Sequence, residues 1–308
     1  MSEGLADLWR QHMCRGDFEA AWRISDRALQ NRARSDRCKR DQESTWRGEP
    51  LDGKRVLVRC CYGLGDTLQF VRYVPLLRRV ARHVTLQAQA SLAPVLEHVE
   101  GIDSLVTGCN DVPPETYDVA IELSELPHVF RTSIRTIPAE IPYIHVEPRS
   151  LPATSNVNVG LVWQGSDWDP RRSVPLRLFA GFDRIPGLTL HIVQRGPALL
   201  ERPISFGINS GDDDLYEAAR TIAALDLMVT IDSMPAHLAG AMGIPTWVLL
   251  HSHCDWRWMK NRTDSPWYPT MRLFRQEHSG DWPAVIAHVK QELKRVAPDR
   301  VKPSSVAA

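Results

Sequence analysis

The chain has 308 residues, a length that exceeds one typical domain and predicts two globular units with a smaller additional segment. Hydrophobic residues make up 43% of the chain and charged residues 24%, which excludes an intrinsically disordered protein. Lys plus Arg and Asp plus Glu number 37 each, so no basic excess indicates a nucleic-acid partner.

Cysteine usage and hydropathy bear on the cellular setting. None of the six cysteines has CxxC spacing, so neither a zinc site nor a redox motif is predicted, and reduced thiols in the cytoplasm are expected. The N-terminus lacks a basic region followed by an apolar core, and no apolar run reaches the ~18 residues that span a bilayer. We expect a cytoplasmic protein. If its substrate is a component of the cell envelope, we expect peripheral association with the membrane from the cytoplasmic side.

Residues 5–32 are predicted to form a pair of helices. The second helix carries Phe18, Ala21, Trp22 and Ala28, a pattern that resembles the second helix of a tetratricopeptide repeat. One such unit cannot bury its hydrophobic face alone, so it must pack on the main body or on a partner protein. Residues 33–50 are polar and arginine-rich, which is typical of a linker.

From residue 54 onward, strand patterns alternate with helix patterns, which predicts parallel βαβ units. The first series has strands at 55–60, 84–88, 104–107 and 117–123, and helices at 66–80 and 91–98. The second has strands at 157–163, 188–194, 227–231 and 244–250, and helices at 214–225, 235–242 and 282–296.

These two series predict an α/β protein with two Rossmann-like parallel sheets that face a cleft. Residues 1–46 form the helical hairpin and linker, 47–150 the first Rossmann-like domain, and 151–308 the second domain with the final helix. In open α/β sheets, ligands bind beyond the carboxyl ends of the strands, so the loops at those ends are the candidate sites.

The segment Gly63-Leu64-Gly65-Asp66 lies between a predicted strand and a predicted helix. Glycines at such a turn allow a ligand to approach the backbone closely. Asp66 has two interpretations: it caps the helix, or its carboxylate acts as a base in the cleft. The residues alone leave both open.

A second strand-to-helix junction runs from Ile231 to Ala241. Backbone amides of Ser233 and Met234 would point at an anion there, and the helix dipole would favour a diphosphate. Asp232 is either a ligand-facing carboxylate or a helix cap. His237, in the first two turns, is either part of the site or an ordinary packed or surface histidine.

The loop Gly165–Ser173 follows the strand at 157–163 and contains Arg171 and Arg172. Arginine pairs suit phosphate oxygens because the guanidinium binds them in bidentate fashion, although a solvated loop is the alternative. The acidic run Asp212–Asp214 precedes a helix, where carboxylates favour the helix dipole, so we predict a helix start there rather than a metal site.

Four segments together resemble a known family: Gly63–Phe70, Ile231–Ala241, Asp255–Trp258 and Asp264–Phe274. Over about residues 47–296 they are similar to the glycosyltransferase-like region of bacterial tetratricopeptide-repeat proteins. That region is itself similar to glycosyltransferase family 9, the ADP-heptose–lipopolysaccharide heptosyltransferases. The hairpin resembles the last repeat of the longer array such proteins often carry.

The resemblance implies a GT-B fold and inverting transfer of a hexosyl or heptosyl group without a metal or other cofactor. A nucleotide sugar would be the donor, and a glycan, a lipid-linked molecule such as lipopolysaccharide, or a protein would be the acceptor. The first domain would serve the acceptor and the second the donor, with Asp66 as the catalytic base. The donor-binding residues implied or adopted as candidates are Gly65, Arg171, Arg172, Gln194, Asp232, Ser233, Met234 and His237.

The chain departs from the family pattern at three places. Ser233 replaces the usual Thr but keeps the hydroxyl, whereas Met234 adds bulk and Pro235 removes an amide beside the expected phosphates. Cys61-Tyr62 stands where relatives of the repeat-containing group usually have Gln before Gly-Leu-Gly-Asp. Two other functions therefore remain: a non-catalytic binding or interaction protein, which Met234-Pro235 favours, and another enzyme of this fold such as a nucleotide-sugar epimerase.

Overall fold

The structure is a computed structural model that describes residues 3–33, 45–108, 112–152, 155–203 and 205–297. Most of the predicted linker, residues 34–44, lies outside the described residues, as do Cys38 and Cys109. The chain forms two compact units, and both are of the α/β class that the sequence predicts. The first comprises Met1–His145, Asp255–Arg262 and Pro266–Pro269, and the second comprises Val146–Cys254, Thr263–Ser265 and Thr270–Ala308.

The sheet of the first unit has four parallel strands in the order β3-β2-β1-β4. The strands are β1 (Arg55–Cys60), β2 (His83–Ala88), β3 (Ser104–Thr107) and β4 (Val119–Glu122). Val56, Leu57 and Val58 of β1 are wholly buried, as expected for an internal strand covered on both faces. Each of the four lies within a residue or two of its prediction.

The helices of the first unit are short, apart from the N-terminal pair. They are α1 (Glu3–Arg15), α2 (Phe18–Ala33), α3 (Leu64–Phe70), α4 (Val74–Arg78), α5 (Ala93–Leu96) and α6 (Leu126–Val129). The single helix predicted at 66–80 is interrupted by a 3-10 turn at Val71–Tyr73. The reason is Pro75, which has no N–H to donate to the Val71 carbonyl, and that carbonyl accepts instead from the Val74 N–H.

The N-terminal hairpin packs within the first unit. Its turn depends on Gly16, which has φ +77°, and a Cβ at that position would lie 2.5 Å from the Ile134 side chain. Phe18 stacks on Trp267 with ring centroids 6.1 Å apart, and the indole N–H of Trp22 donates to the Thr132 carbonyl at 2.7 Å. The expected partner of the hairpin's hydrophobic face is therefore the main body of the chain.

The second unit has a six-stranded parallel sheet in the order β10-β9-β8-β5-β6-β7. The strands are β5 (Val157–Leu161), β6 (Leu188–Ile192), β7 (Ile208–Asn209), β8 (Leu227–Ile231), β9 (Thr246–Leu250) and β10 (Met271–Arg275). Its helices are α7 (Leu215–Ala223), α8 (Met234–Ala241) and α9 (Trp282–Val296). The strands β7 and β10 were not predicted from the sequence.

The structure confirms the predicted helix start at Asp214 but not the expected reduced thiol at Cys61. Asp214 caps α7, because its carboxylate accepts the amide N–H groups of Tyr216 at 2.8 Å and Glu217 at 3.0 Å, so the predicted helix start is confirmed. Cys61 is disulfide-bonded, so the expectation of reduced thiols does not hold at that residue. Cys60, its neighbour, is a buried free thiol.

His191 is a wholly buried histidine in the core of the second unit. Its ring nitrogens lie 2.8 Å from the Ser210 hydroxyl and 3.1 Å from the Asn158 amide oxygen. Burial lowers the pKa of this imidazole, because the charged form would lose its hydration.

The lowered pKa of His191 predicts loss of stability in acid. The unfolded chain, with the ordinary pKa of 6.5, binds more protons than the folded protein between the two pKa values. The stabilisation is therefore complete above the unfolded pKa and falls as the pH drops towards the folded one. We expect a lower urea midpoint at about pH 5.5 than at about pH 7.5, and a smaller difference in His191→Gln.

His278, an exposed histidine of the same unit, provides the control, and His278→Gln should keep the wild-type difference. An equal difference in wild type and His191→Gln would show that His191 does not titrate in this range.

Candidate active site

The candidate base lies at the point where the strand order of the first sheet reverses. β1 pairs with β2 on one side and with β4 on the other, so the loop after β1 leaves the carboxyl edge at a topological switch point. That loop is held by Gln89, which follows β2: its Nε2 donates to the Tyr62 carbonyl at 2.9 Å, and its Oε1 accepts from the Thr67 hydroxyl at 2.9 Å. The turn before α3 is thus fixed from the neighbouring strand.

Asp66 is not the capping residue of α3. The helix begins at Leu64, and Gly63 is the N-cap, with no side-chain capping bond. The Asp66 carboxylate instead accepts a hydrogen bond from Arg257 Nη2 at Oδ1, at 2.6 Å, and the side chain is 37% exposed. Gly63 leaves room for it, because a Cβ there would lie 2.8 Å from Asp66 Oδ2. The structure therefore does not support the interpretation of Asp66 as a helix cap.

Arg257 is a residue of this site that sequence reasoning missed. It belongs to the 255–262 segment of the first unit, and it also donates to Gln69 Oε1 at 2.7 Å and to Asp255 Oδ1 at 2.9 Å. The motif Asp255–Trp258 supported the family resemblance, but no spacing rule connects it with Asp66, because 191 residues separate Arg257 from that carboxylate.

The candidate donor residues lie at the corresponding switch point of the second sheet. β5 pairs with β6 on one side and with β8 on the other, so the loops after β5 and β8 share the carboxyl edge. Arg172, from the first loop, joins the two: its Nη1 donates to the Asp232 carbonyl at 2.8 Å and its Nη2 to the Ser166 hydroxyl at 3.2 Å. Arg172 is 7% exposed, so it organises the loops from within.

Arg171 has the opposite environment. Its side chain is exposed, and its guanidinium makes two hydrogen bonds of 2.8 Å to the Asp169 carboxylate. These bonds hold the pKa of Asp169 below its ordinary value. His251, after β9, lies 3.6 Å from the same carboxylate, and its burial lowers the pKa of its imidazole. Of the two arginines, Arg171 is the one whose guanidinium faces solvent.

The start of α8 supplies fewer amides than an ordinary helix. Ser233 is the N-cap without a side-chain capping bond, Pro235 has no N–H, and the Ala236 N–H donates to the Ser233 carbonyl at 3.0 Å. Within the first turn, the Met234 N–H is the donor best placed for an anion at the helix start. Asp232 and His237 are buried, at 7% and 6% exposure.

The side chain of Gln194 holds two loops of the second unit together. Its Oε1 accepts the backbone N–H groups of Trp163 and Gln164, both at 3.0 Å, and its Nε2 donates to the carbonyls of Gln164 at 3.1 Å and Arg195 at 2.9 Å. All four positions of the amide are therefore used in holding the loop after β5 to the loop after β6. Direct contact with a donor stays a prediction for this residue.

Metal and membrane features are described only for the residues that the structure covers. Within these residues no group of three or more His, Cys, Asp or Glu side chains is arranged to hold a metal ion. No helix there is both long enough and apolar enough to cross a bilayer.

Comparison with known proteins starts from sequence. No protein-family model matches the chain. The chain is 24% identical to Protein FlbA of Caulobacter vibrioides over an alignment of 297 residues, which covers 82% of this chain and 48% of FlbA. It thus spans about half the length of the curated relative it matches.

Solved structures are similar to the chain over most of its length. A family 9 glycosyltransferase from Veillonella parvula matches with a TM-score of 0.53 at 16% identity, covering 80% of this chain and 97% of that one. The E. coli heptosyltransferase WaaC, solved with ADP-2-deoxy-2-fluoro heptose, matches with a TM-score of 0.54 at 13% identity, covering 79% and 99%. The chain has the fold of the family 9 glycosyltransferases. The predicted α/β fold with two parallel sheets and the predicted resemblance to glycosyltransferase family 9 are confirmed.

Within this family 9 fold, the predicted site residues fall into two groups. Asp66 and one donor candidate, Gly65, belong to the first unit, and the other donor candidates belong to the second. At the second switch point, Arg172 is bonded to the carbonyl of Asp232, beside Ser233 and Met234. Arg171 and Gln194 lie on the neighbouring loops of the same edge.

The two arginines should differ in their effect on stability. Arg172→Ala removes a buried guanidinium and leaves the Asp232 carbonyl without its donor, so we expect the free energy of unfolding to fall by about 1–3 kcal/mol. Arg171→Ala breaks an exposed ion pair, which contributes roughly 0–1 kcal/mol. Urea denaturation of both variants measures the difference. Equal losses would contradict the distinction between an organising and a solvent-facing arginine.

Proposed function

We propose that this chain is a glycosyltransferase that transfers a sugar from a nucleotide-sugar donor to a hydroxyl of a glycan, a lipid-linked molecule such as lipopolysaccharide, or a protein. The observation that carries the proposal is the position of the chemistry-bearing residues at the switch points of both sheets of a family 9 fold. The proposal concerns this chain and not the whole of a longer protein such as FlbA.

The first unit would supply the base. When an acceptor hydroxyl attacks the anomeric carbon, its oxygen forms the new bond and its proton passes to the Asp66 carboxylate. A positioned carboxylate of this kind accelerates such a step by ~10²–10⁴-fold. The partly exposed carboxylate of Asp66, in the first turn of α3, supports this role.

The second unit would stabilise the leaving group. The bond between the anomeric carbon and the diphosphate breaks, and the nucleoside diphosphate leaves with the electron pair. The Met234 N–H, the start of α8 and the Arg171 guanidinium are donors suited to the developing negative charge. A single displacement inverts the anomeric configuration. These groups give charge stabilisation without a metal ion.

The donor is proposed to be an ADP-activated sugar. E. coli WaaC has been solved with ADP and with ADP-2-deoxy-2-fluoro heptose, and its fold is similar to that of this chain. A thermal-shift comparison of ADP-heptose, UDP-glucose and GDP-mannose tests the choice, because a ligand at 100 times its dissociation constant adds ~2.7 kcal/mol to folding.

A non-catalytic binding protein is the second candidate. Pro235 favours it, because the proline removes one of the amides with which the start of α8 would hold a diphosphate. Such a protein would bind the nucleotide sugar without releasing a nucleoside diphosphate. Binding with no release of ADP from ADP-heptose, even in the presence of bacterial envelope extract, would select this alternative.

Asp66→Asn should separate chemistry from donor binding. Asn keeps the size of the side chain but removes the carboxylate that accepts the proton, so we expect the rate of sugar transfer to fall by ~10²-fold or more. The donor dissociation constant should stay near the wild-type value. Steady-state kinetics with ADP-heptose and isothermal calorimetry measure the two quantities.

Asp52→Asn is the matched control, since Asp52 is an exposed carboxylate in the turn before β1, and this variant should turn over at the wild-type rate. A fully active Asp66→Asn protein would remove Asp66 from the mechanism.

Arg171→Ala should have the complementary effect. The loss of a charged donor should weaken donor binding by ~1.5–3 kcal/mol, which is roughly 10–150-fold in the dissociation constant. Arg177, an exposed arginine of the same unit, gives the control variant Arg177→Ala, which should bind the donor as wild type does. If both variants bind equally well, Arg171 does not contact the donor.

Sugar transfer should also continue in EDTA. The proposed donors are backbone N–H groups and an arginine, so removal of divalent cations should leave the rate within about twofold. Loss of activity that magnesium or manganese restores would reject the metal-independent mechanism.

A further inference from the structure

Arg257 contacts three polar side chains, two of which belong to α3. Its Nη2 donates to Asp66 Oδ1 at 2.6 Å, its Nε to Gln69 Oε1 at 2.7 Å and its Nη1 to Asp255 Oδ1 at 2.9 Å. Asp66 and Gln69 are three residues apart on α3, so they present one face of the helix to the guanidinium. A planar fork with fixed donor directions can satisfy all three groups together.

Two aromatic rings pack against this guanidinium. Its central carbon lies 5.2 Å from the centroid of the Phe70 ring and 4.8 Å from that of Trp256, and the two rings stack with their planes 16° apart. The Arg257 side chain is only 16% exposed. Most exposed ion pairs contribute little because both side chains remain mobile, whereas this arginine packs against two aromatic rings and makes three side-chain hydrogen bonds.

The N-terminal hairpin contributes to the same assembly. Trp9 of α1 packs edge-on against Trp256, with centroids 5.5 Å apart. The backbone of the same segment is tied to the hairpin as well, because the Lys260 N–H donates to the Cys14 carbonyl at 2.8 Å. Through these contacts the hairpin fixes the segment that carries Arg257.

We propose that Arg257 is a positioning residue for Asp66, an inference that rests on the proposed function of Asp66 as the base. Arg257 binds Oδ1 and so fixes the rotation of the carboxylate, which leaves Oδ2, on the side of Gly63, to accept the acceptor's proton. The Arg257 guanidinium also pairs with Asp255, so the carboxylates of Asp66 and Asp255 share one positive charge. Loss of such alignment changes the rate of the chemical step more than the binding of the donor.

The test is a double-mutant cycle on ADP release from ADP-heptose, with bacterial envelope extract as the acceptor source. Arg257→Met should lower kcat by about 10²-fold and leave the KM for ADP-heptose within about twofold. In the Asp66→Asn background the same change should lower kcat no further, because Arg257 acts through that carboxylate. Arg257→Lys keeps the positive charge but not the forked guanidinium, so it should recover part of the lost rate. If Arg257→Met does not fold, Arg257→Lys takes its place in the cycle.

Arg55→Ala is the matched control. Arg55 makes a comparable forked contact with Asp118 in the same unit, away from Asp66, and its loss should leave kcat unchanged. An additive cycle, in which the Arg257 change slows Asp66→Asn as much as wild type, would overturn the inference while leaving Asp66 as the base. A fully active Asp66→Asn protein would instead overturn the proposed function.

A second measurement does not require turnover. Labelling of Asp66 by a water-soluble carbodiimide, followed by peptide mass spectrometry, should be several-fold faster in Arg257→Met and Arg257→Lys than in wild type. Arg55→Ala should label Asp66 at the wild-type rate. Equal labelling in all four proteins would show that Arg257 does not hold the carboxylate in solution, and would overturn the inference even if ADP-heptose is not the donor.

Discussion

Parallel pairing of every described strand is the constraint on which both units depend. Because parallel strands need a return connection outside the sheet, all carboxyl ends of one sheet share an edge, and the loops that leave it lie side by side. Where the strand order reverses, at β1/β4 and at β5/β8, neighbouring loops turn away from each other and leave space for a ligand. Asp66 and the donor candidates occupy those positions, so the topology of each sheet explains where these candidate residues lie.

Buried arginines bond to backbone carbonyls in both units. Arg172 bonds to the carbonyl of Asp232, and Arg72 bonds to the carbonyls of Gln69, Pro138 and Trp267. Such carbonyls have no sheet partner, and an unpaired buried carbonyl costs about 1–3 kcal/mol. Arginine is suited to this because its five donors reach several carbonyls that no single backbone amide could serve.

Sequence reasoning succeeds where the determinants are local. The strand β8 is a continuous buried run, and the cap of α7 requires only Asp214 and the amides that follow it, so both could be predicted from neighbouring residues. The contact between Asp66 and Arg257 joins residues 191 positions apart, and no periodicity in the chain records it. The strand β10 was missed for a related reason: it follows an irregular segment, part of which folds with the first unit.

The same return of the chain explains how the hairpin α1–α2 buries its apolar face. A repeat-like hairpin normally needs stacked neighbours to bury its apolar face. Here that face meets Trp256 and Trp267, which the chain brings back from the far side of the second unit's sequence. The two tryptophans also pack against Phe70 of α3, and Phe70 follows the Asp66 turn by a few residues. The hairpin and α3 therefore share one aromatic cluster, so the hairpin cannot be treated as an appendage with respect to Asp66.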